Sequence, residues 1–270
     1  MWNDGVSTTK GRAMRCLICC GLAALTALTP LLARSAGDEI QVYTDDVRAK
    51  GERGLEVHSN YVSRGRTTQD YPGEQPPNRI LHLTPEFSFG LGNHMDWGFY
   101  LPTSASNDSG SAFMDGAKLR LKYLMDTEAT GSAFFYGANV EVSRSTLRAS
   151  PSKWQGELRG IVGMRQGEWL VAFNPILGWP LTRSVNGSTV DFELATKVSR
   201  EVGHGLAVGV EHYSELGPVG RTVFGPGSGQ NTYAVLDWEG KGWDLNVGIG
   251  HGWTGASDRR VFKLILGLPL

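Results

Sequence analysis

The sequence predicts an all-β fold, an antiparallel up-and-down transmembrane β-barrel of about 12 strands after an N-terminal signal peptide. Three observations support this fold class. From residue 53 onward, stretches of about ten residues alternate apolar and polar positions, the length that a tilted strand needs to cross a bilayer. The connections between these stretches alternate between short and long. No apolar run beyond the N-terminus approaches the roughly 18 residues of a membrane helix.

Composition and charge exclude several other classes of protein. The 270 residues include 26 Lys and Arg, 27 Asp and Glu, 36 Gly and only 3 Cys. This balance argues against a disulfide scaffold, a disordered polyelectrolyte and a basic nucleic-acid-binding protein, so no nucleic-acid partner is expected. A mean hydropathy of -0.22 is compatible with a membrane barrel, because alternating strands hide their apolar face from an average.

Residues 1–36 have the three zones of a secretory signal peptide. A basic start ends at Arg15, an apolar stretch covers 16–33, and small side chains at Ala33 and Ser35 suit a cleavage site. A retained signal anchor is the alternative. All three cysteines lie inside this segment, so the mature chain has no thiol for catalysis, metal binding or disulfides. Residues 37–52 are expected to form a periplasmic lead-in segment or a plug-like strap across the base, and 53–270 the barrel.

The clearest strand signal surrounds Leu194. Phe192 and Leu194 belong to one face of this stretch, and Asp191, Glu193 and Lys197 belong to the other. Because side chains alternate across a pleat, such a strand has one apolar and one charged surface. The same template predicts strands near 53–63, 79–90, 94–102, 114–125, 132–144, 155–166, 167–178, 188–199, 204–213, 230–239, 241–251 and 260–269. We expect the last strand to pair with the first and close the sheet.

The connections fall into two classes that take turns along the chain. The tight, Gly-rich class comprises 90–93, 126–131, 166–167, 200–203 and 239–242, and the long class comprises 64–78, 103–113, 145–154, 179–187, 214–229 and 252–259. In a barrel with both ends in the periplasm, the long class faces the medium. A soluble β-sandwich has no reason to sort its loops in this way. A soluble barrel, with the apolar face inside, stays open as an alternative.

If the apolar faces point outward, the charged faces line the lumen. The resulting lumen-lining candidates are Glu56, His58, Glu86, Asp96, Lys118, Arg120, Lys122, Glu141, Glu157, Arg159, Asp191, Glu193, Lys197, Glu211, Asp237 and Asp244. Charges inside a barrel must pair, form hydrogen bonds or stay wet. Two interpretations remain: a salt-bridged lumen that stabilises the wall, and a polar pathway in which the charges set selectivity.

The sequence predicts no catalytic, cofactor or metal site. His58 and Ser59 are adjacent on one strand and point to opposite faces, whereas His212 and Ser214 share a face but lie at a strand end without a supporting motif. No two of the six histidines have the i, i+2 spacing of a metal site on one strand. A barrel of about 12 strands is also narrower than an open porin, so any passage is expected to be small.

Several segments resemble a known group of proteins. The stretches 38–43, 116–120, 134–141, 173–177 and 248–259 are similar to poorly characterised proteobacterial outer-membrane proteins described as transporters, close to the family named after the MetA pathway of phenol degradation. The resemblance covers essentially the whole mature chain and implies a barrel in the bacterial outer membrane. The expected partners of the chain are outer-membrane lipid, the barrel-assembly machinery and a small solute.

The sequence therefore predicts an outer-membrane small-solute channel with a charged lumen, passive and without cofactor. Two alternatives stay open. One is an outer-membrane lipid or acyl hydrolase acting at the barrel rim. The other is a structural or surface-interaction barrel that transports nothing.

Overall fold

Every strand of the structure is antiparallel to its neighbours in one continuous sheet. The computed structural model describes residues 39–125, 131–187, 189–221 and 227–270. The predicted signal peptide and the first residues of the predicted lead-in lie outside this range, as do parts of three connections. Among the described residues, no helix is long and apolar enough to cross a membrane.

Fourteen strands in the described part of the chain make up the sheet. They are β1 (Arg53–Arg64), β2 (Ile80–Gly92), β3 (Met95–Tyr100), β4 (Thr103–Ser106), β5 (Ala112–Met114), β6 (Gly116–Leu124), β7 (Phe134–Ser145), β8 (Trp154–Gln166), β9 (Trp169–Pro180), β10 (Asp191–Gly203), β11 (Leu206–Pro218), β12 (Gly229–Glu239), β13 (Asp244–Gly252) and β14 (Arg260–Pro269).

The sheet closes on itself through β1, which pairs with β14 on one side and β2 on the other. β3 and β4 both pair with β2, one after the other along its length. On their other side, β4 pairs with β5 and β3 pairs with β6. β3 and β4 thus share a single position around the ring, and β5 and β6 share another, so the fourteen strands make twelve positions. The predicted closed, antiparallel 12-strand barrel is confirmed.

The structure corrects one predicted connection. Residues 103–113 were expected to form a long loop, but Thr103–Ser106 and Ala112–Met114 form a short hairpin that prolongs the wall beside β2. The small polar residues of β4 look like loop residues in the sequence. Their pairing with Ile80–Leu83 makes them a strand, and Pro102, which has no N–H, accounts for the break after β3. β11 also extends to Pro218, beyond its predicted end at 213.

Short turns collect at one end of the barrel and long connections at the other. Asn93 and His94, between β2 and β3, both have positive φ, as do His204 and Gly205 between β10 and β11. Two consecutive positive φ angles are typical of type I′ turns, whose twist matches that of an antiparallel pair. Both ends of the barrel wall, at Arg53 and Pro269, lie at the short-turn end.

The outward face of the wall is apolar and exposed, whereas the inward face is charged and buried. On β6, Leu119 and Leu121 are 54% and 43% exposed, while the intervening Lys118, Arg120 and Lys122 are buried. Exposed leucines in a continuous band are stabilised by hydrocarbon tails, not by water. The charged side chains therefore face the lumen, and the apolar side chains face lipid.

The segment before β1 runs along the inside of the wall. Val42 and Tyr43 are buried and pack in an apolar cluster with inward side chains that include Leu124, Phe135 and Ile161. Residues 39–52, expected from the sequence to be a lead-in or a strap, thus contribute side chains to the interior of the barrel. We call residues 39–52 the lumenal segment.

Candidate functional site

Arg120 is the centre of a charged network on the wall formed by β1, β2, β3 and β6. Its guanidinium lies 2.9 Å from Glu86 Oε1 and 2.9 Å from Asp96 Oδ1, and it donates a hydrogen bond to the hydroxyl of Tyr100 at 2.9 Å. Lys122 reaches Asp96 at 3.3 Å. All five side chains are buried, so these charges are neutralised by one another and not by water.

The lumenal segment is bound to this network by hydrogen bonds. The side-chain amide of Asn174 accepts a hydrogen bond from the Tyr43 N–H at 2.6 Å and donates one to the Tyr43 carbonyl at 3.0 Å. It thus satisfies both backbone groups of Tyr43. The Tyr43 hydroxyl donates to Glu39 at 2.7 Å and accepts a bond from Arg120 at 3.2 Å. Tyr43 therefore links the segment to both sides of the lumen.

Ion pairs fix the segment at both of its ends. Glu39 accepts a bond from Lys118 Nζ at 2.5 Å, Asp45 binds Arg165 at 2.7 Å, and Arg48 binds Glu56 at 3.2 Å. Burial raises the pKa of Glu39, but Lys118 and Arg159 outweigh that effect and hold the pKa well below its usual range. The Glu39 carboxylate is consequently charged at neutral pH.

A second charged cluster occupies the opposite wall. Glu211 on β11 lies 2.5 Å from Lys263 and 3.2 Å from Lys197, and Lys197 also reaches Asp237 at 2.8 Å. The Tyr213 hydroxyl donates to Glu211 at 2.7 Å. Two lysines and two carboxylates balance here, as opposite charges must when they are taken out of water.

A cavity of about 260 Å³ lies in the lumen. Its lining extends from the long connections, including Arg66 and Arg148, to Glu39, Ile40 and Gln41 of the lumenal segment. The segment thus forms part of the cavity's boundary. The apolar cluster around Val42 and Tyr43 reaches from Ile176 and Ala195, which line the cavity, to Leu124 and Leu170 beside the short turns. A solute in the cavity would meet the segment before it reached the other end of the barrel.

The structure places the predicted lumen residues in four groups. The Arg120 side of the lumen holds Glu56, His58, Glu86, Asp96, Lys118, Arg120, Lys122, Glu141, Glu157 and Arg159, and the second cluster holds Lys197, Glu211 and Asp237. Asp191 and Glu193 line the cavity apart from both clusters. Asp244 is exposed at the short-turn rim.

Sequence reasoning missed several residues that these groups need. Glu39, Tyr43 and Arg48 lie in a segment without strand periodicity, so nothing in the sequence indicates what they contact. Lys263 could have been found, because it alternates with Phe262 and Leu264 on the last strand and so belongs to the polar face. Asn174 has the same signal between Phe173 and Pro175 on β9.

Glu56, His58 and Glu86 approach one another closely enough to hold a metal ion, with their ligand atoms within 4.8 Å. The two carboxylates already have cationic partners, Arg48 for Glu56 and Arg120 for Glu86. Both guanidinium groups would repel a metal cation, which would have to displace them from the carboxylates. The donor set therefore fits a buried ion-pair network better than a metal site.

His212 and Ser214, the pair considered for a hydrolase, do lie within hydrogen-bond distance, at 3.1 Å between Nε2 and Oγ. Gln230 Oε1 can only accept a hydrogen bond, and it lies 3.0 Å from His212 Nε2, so the His212 hydrogen is on Nε2. The Thr232 hydroxyl, which accepts a bond from Trp253 Nε1 at 2.8 Å, then donates to His212 Nδ1 at 2.8 Å. In this tautomer Nε2 cannot accept the serine proton, as a general base must.

Comparisons with known proteins agree on the fold. An outer membrane channel from Pseudomonas putida F1 is 14% identical, with a TM-score of 0.55 over 86% of this chain and 100% of that one. The KdgM porin is 10% identical, with a TM-score of 0.51 over 80% of this chain and 98% of that one. The same porin in complex with disordered oligogalacturonate gives a TM-score of 0.50 at 10% identity, with coverage of 80% and 98%.

No family model and no curated protein matches the sequence. At these identities the likeness to solved structures shows an outer-membrane-type β-barrel fold and nothing finer. The resemblance to the family named after the MetA pathway stays a prediction.

Proposed function

We propose that this chain is an outer-membrane channel for small solutes, and that the lumenal segment keeps it closed in the state described here. The observation that carries the proposal is the cavity of about 260 Å³ inside a charged, closed barrel, bounded on one side by Glu39, Ile40 and Gln41. The solved structures with the same fold, described as a channel and a porin, support it.

The lumenal segment can leave the lumen without unfolding of the wall. It is held by side-chain contacts to Asn174, Lys118 and Arg165, and not by a long ladder of strand hydrogen bonds. Every strand of the described wall except the short β5 keeps its own ladder on both sides. Withdrawal of the segment would leave a polar, charged path along the Arg120 network, in which the charges select among solutes.

Single-channel recording in planar bilayers tests the proposal. Tyr43→Ala removes the hydrogen bonds to Glu39, Tyr100 and Arg120 and opens a gap in the apolar cluster. We expect rare, small conductance steps from the native chain and at least about tenfold more open time from the variant, since a loss of 1.4 kcal/mol shifts an equilibrium tenfold. Lys50→Ala, at an exposed position of the same segment, is the matched control and should behave as the native chain does.

Absence of conductance steps from both the native chain and Tyr43→Ala, in protein that migrates as a folded barrel, would contradict the channel proposal. It would favour the alternative of a barrel that binds a partner through its long connections. The export signal, the outer-membrane location and the use of the barrel-assembly machinery are part of the same proposal. They are supported by the lipid-facing apolar band of the wall.

The hydrolase alternative receives less support from the geometry. The hydrogen bonds around His212 place its proton toward Ser214, and Thr232, not a carboxylate, contacts Nδ1. Any hydrolysis of phospholipid by the purified protein should therefore be unaffected by Ser214→Ala. If the native chain hydrolysed phospholipid and both Ser214→Ala and His212→Ala abolished this activity, the hydrolase alternative would be supported.

A further inference from the structure

A row of cationic and imidazole side chains crosses the outward face of the wall at its long-connection end. Arg64, at the end of β1, is the ladder partner of Arg260 at the start of β14, and Arg260 is also the partner of His251 on β13. Arg259 precedes β14, and all four side chains are exposed. Together they line a groove of about 210 Å³. We call these four residues the rim cluster.

A β-bulge gives Arg64 its direction. In a regular strand Arg64 would share the inward face of Val62, which is buried. The register shifts between these two residues, and the Ser63 hydroxyl donates to the Arg260 carbonyl at 3.2 Å. Arg260 alternates with the buried Val261 and so points outward, and its ladder partner Arg64 points the same way. Bulges commonly re-aim one side chain in this manner.

The arginines of the rim cluster lack protein partners. The guanidinium groups of Arg64, Arg259 and Arg260 form no hydrogen bond and no ion pair with any residue that the structure describes. The adjacent carboxylate, Asp258, accepts a bond from the Arg66 N–H and lines the cavity inside the barrel. Like charges directly opposite one another on a sheet destabilise it, so the rim cluster costs free energy that a bound anion would offset.

Apolar surface begins directly below the rim cluster. Phe262 follows Arg260 on the outward face of β14, and Ile249 precedes His251 on that of β13; they are 43% and 52% exposed. On the other side of His251, the exposed ring of Trp253 lies 4.8 Å from the imidazole. Tryptophan is enriched where a membrane protein meets the headgroups. The rim cluster therefore lies at the boundary between hydrocarbon and headgroups.

We propose that the rim cluster binds a phosphate group in the headgroup of an outer-leaflet lipid, whose acyl chains lie against the apolar surface below. Arginine forks match phosphate geometry, and the side chains of a ladder pair start roughly 5 Å apart, so Arg64 and Arg260 can bind one phosphate together. The imidazole of His251 adds an N–H donor in either tautomer. Inorganic phosphate would use the arginines alone, whereas a lipid uses both surfaces.

The inference goes beyond the proposed channel, because it needs the barrel to lie in an outer membrane but does not need the lumen to conduct. Absence of conductance would leave this site untouched, and absence of lipid binding would leave the channel untouched.

Native mass spectrometry of the purified full chain in a non-ionic detergent tests the proposal. The probes are lipid A that carries two phosphates, the same lipid after removal of both phosphates, and inorganic phosphate. We expect the phosphorylated lipid to bind at least about tenfold more tightly than the dephosphorylated one, because its contacts with the arginines are charge-assisted. An equimolar amount of inorganic phosphate should not displace it.

Arg64→Gln and Arg260→Gln should each weaken binding of the phosphorylated lipid at least about tenfold and leave binding of the dephosphorylated lipid unchanged. Arg144→Gln is the matched control, because Arg144 is exposed at the long-connection end of β7 but has the uncharged ladder partners Ala117 and Trp154. It should bind both lipids as the native chain does. All variants should migrate as folded barrels.

Three results would each overturn the proposal. They are equal binding of the two lipids by the native chain, equal effects of Arg64→Gln and Arg144→Gln, and displacement of the phosphorylated lipid by equimolar inorganic phosphate. The last of these would show a site for the free ion in place of a site for a lipid.

Discussion

At the scale of single residues, the interior of this barrel depends on buried charges that have specific partners. Arg120 is the clearest case, because its guanidinium contacts Glu86, Asp96 and Tyr100 and its position on β6 is fixed by the ladders with β3 and β7. A planar group with five donors can serve several acceptors at once, which lysine cannot do. The sum of such pairs makes the charged lumen compatible with a stable wall.

Arg120→Met should destabilise the barrel strongly. The variant leaves buried Glu86 without its guanidinium partner and Asp96 with Lys122 alone, and breaking a buried pair from one side costs about 3–5 kcal/mol. Urea unfolding of the protein in lipid vesicles, followed by tryptophan fluorescence, measures the change.

Arg200→Gln is the control for Arg120→Met, because Arg200 binds Glu168 with both side chains more than half exposed. The free energy of unfolding should change by no more than about 1 kcal/mol. If the two variants lost equal stability, the ion pairs of Arg120 would not be buried from water.

At the scale of elements, the lumenal segment is the part of the chain whose structure comes from its surroundings. It lacks a strand ladder of its own, and it lies against β2 where a glycine permits close approach. Gly90 exchanges backbone hydrogen bonds with Glu52 and Gly51 at 2.9 Å, and a Cβ at Gly90 would be 1.8 Å from the carbonyl oxygen of Ala49. No side chain fits between the two backbones.

Gly90→Ala should therefore displace the end of the segment next to β1 while the wall stays folded. Overpacking of this kind costs about 1–3 kcal/mol, and the cost falls on the closed arrangement. We expect more frequent conductance steps than in the native chain and faster proteolytic cleavage within 44–52.

Gly178→Ala is the matched control for Gly90→Ala, because an added Cβ at Gly178 on β9 meets nothing within 4 Å. This variant should conduct and resist protease as the native chain does. Identical behaviour of Gly90→Ala and the native chain would show that the segment does not press against β2 in the membrane.

At the scale of the whole molecule, the solvent around the barrel decides which face of the sheet is inside. The apolar face is outside and the charged face is inside, which is stable only if hydrocarbon surrounds the barrel. Closure of β1 onto β14 removes the sheet edges that hydrocarbon could not solvate. The same inversion creates the charged lumen of the proposed channel and the lipid-facing surface below the rim cluster.

Leu119→Arg tests the orientation directly, because Leu119 lies near the middle of β6 on the outward face. An arginine near the bilayer midplane costs about 2–4 kcal/mol in a transmembrane barrel. Equilibrium folding into lipid vesicles should show this loss.

Leu147→Arg serves as the control for Leu119→Arg, because Leu147 is exposed to a similar degree but lies in the long connection between β7 and β8. It should have little effect on folding. If Leu119→Arg were equally harmless, or if the mature chain stayed monodisperse in buffer without detergent, the apolar face would not be in lipid.

The wall of the barrel was largely predictable from the sequence, and the contents of the lumen were not. Alternation on β6 identifies Lys118, Arg120 and Lys122 as one face, because a strand has a side-chain period of two. That β4 is a strand was not predictable, because Thr103–Ser106 has no apolar alternation and depends on pairing with β2. The partners of Lys118 were hidden for a similar reason, since Glu39 is far from it along the chain.

The sequence by itself determined the barrel class, the number of wall positions and the face on which each charge lies, because all of these follow from local periodicity and from the chemistry of short turns. Only the tertiary structure decided that the lumenal segment occupies the lumen, that Arg120 joins two carboxylates from different strands, and that Arg64 lies opposite Arg260 at the rim. The physical reason is that register and closure bring together residues from separate strands, and no local pattern encodes the distance between them.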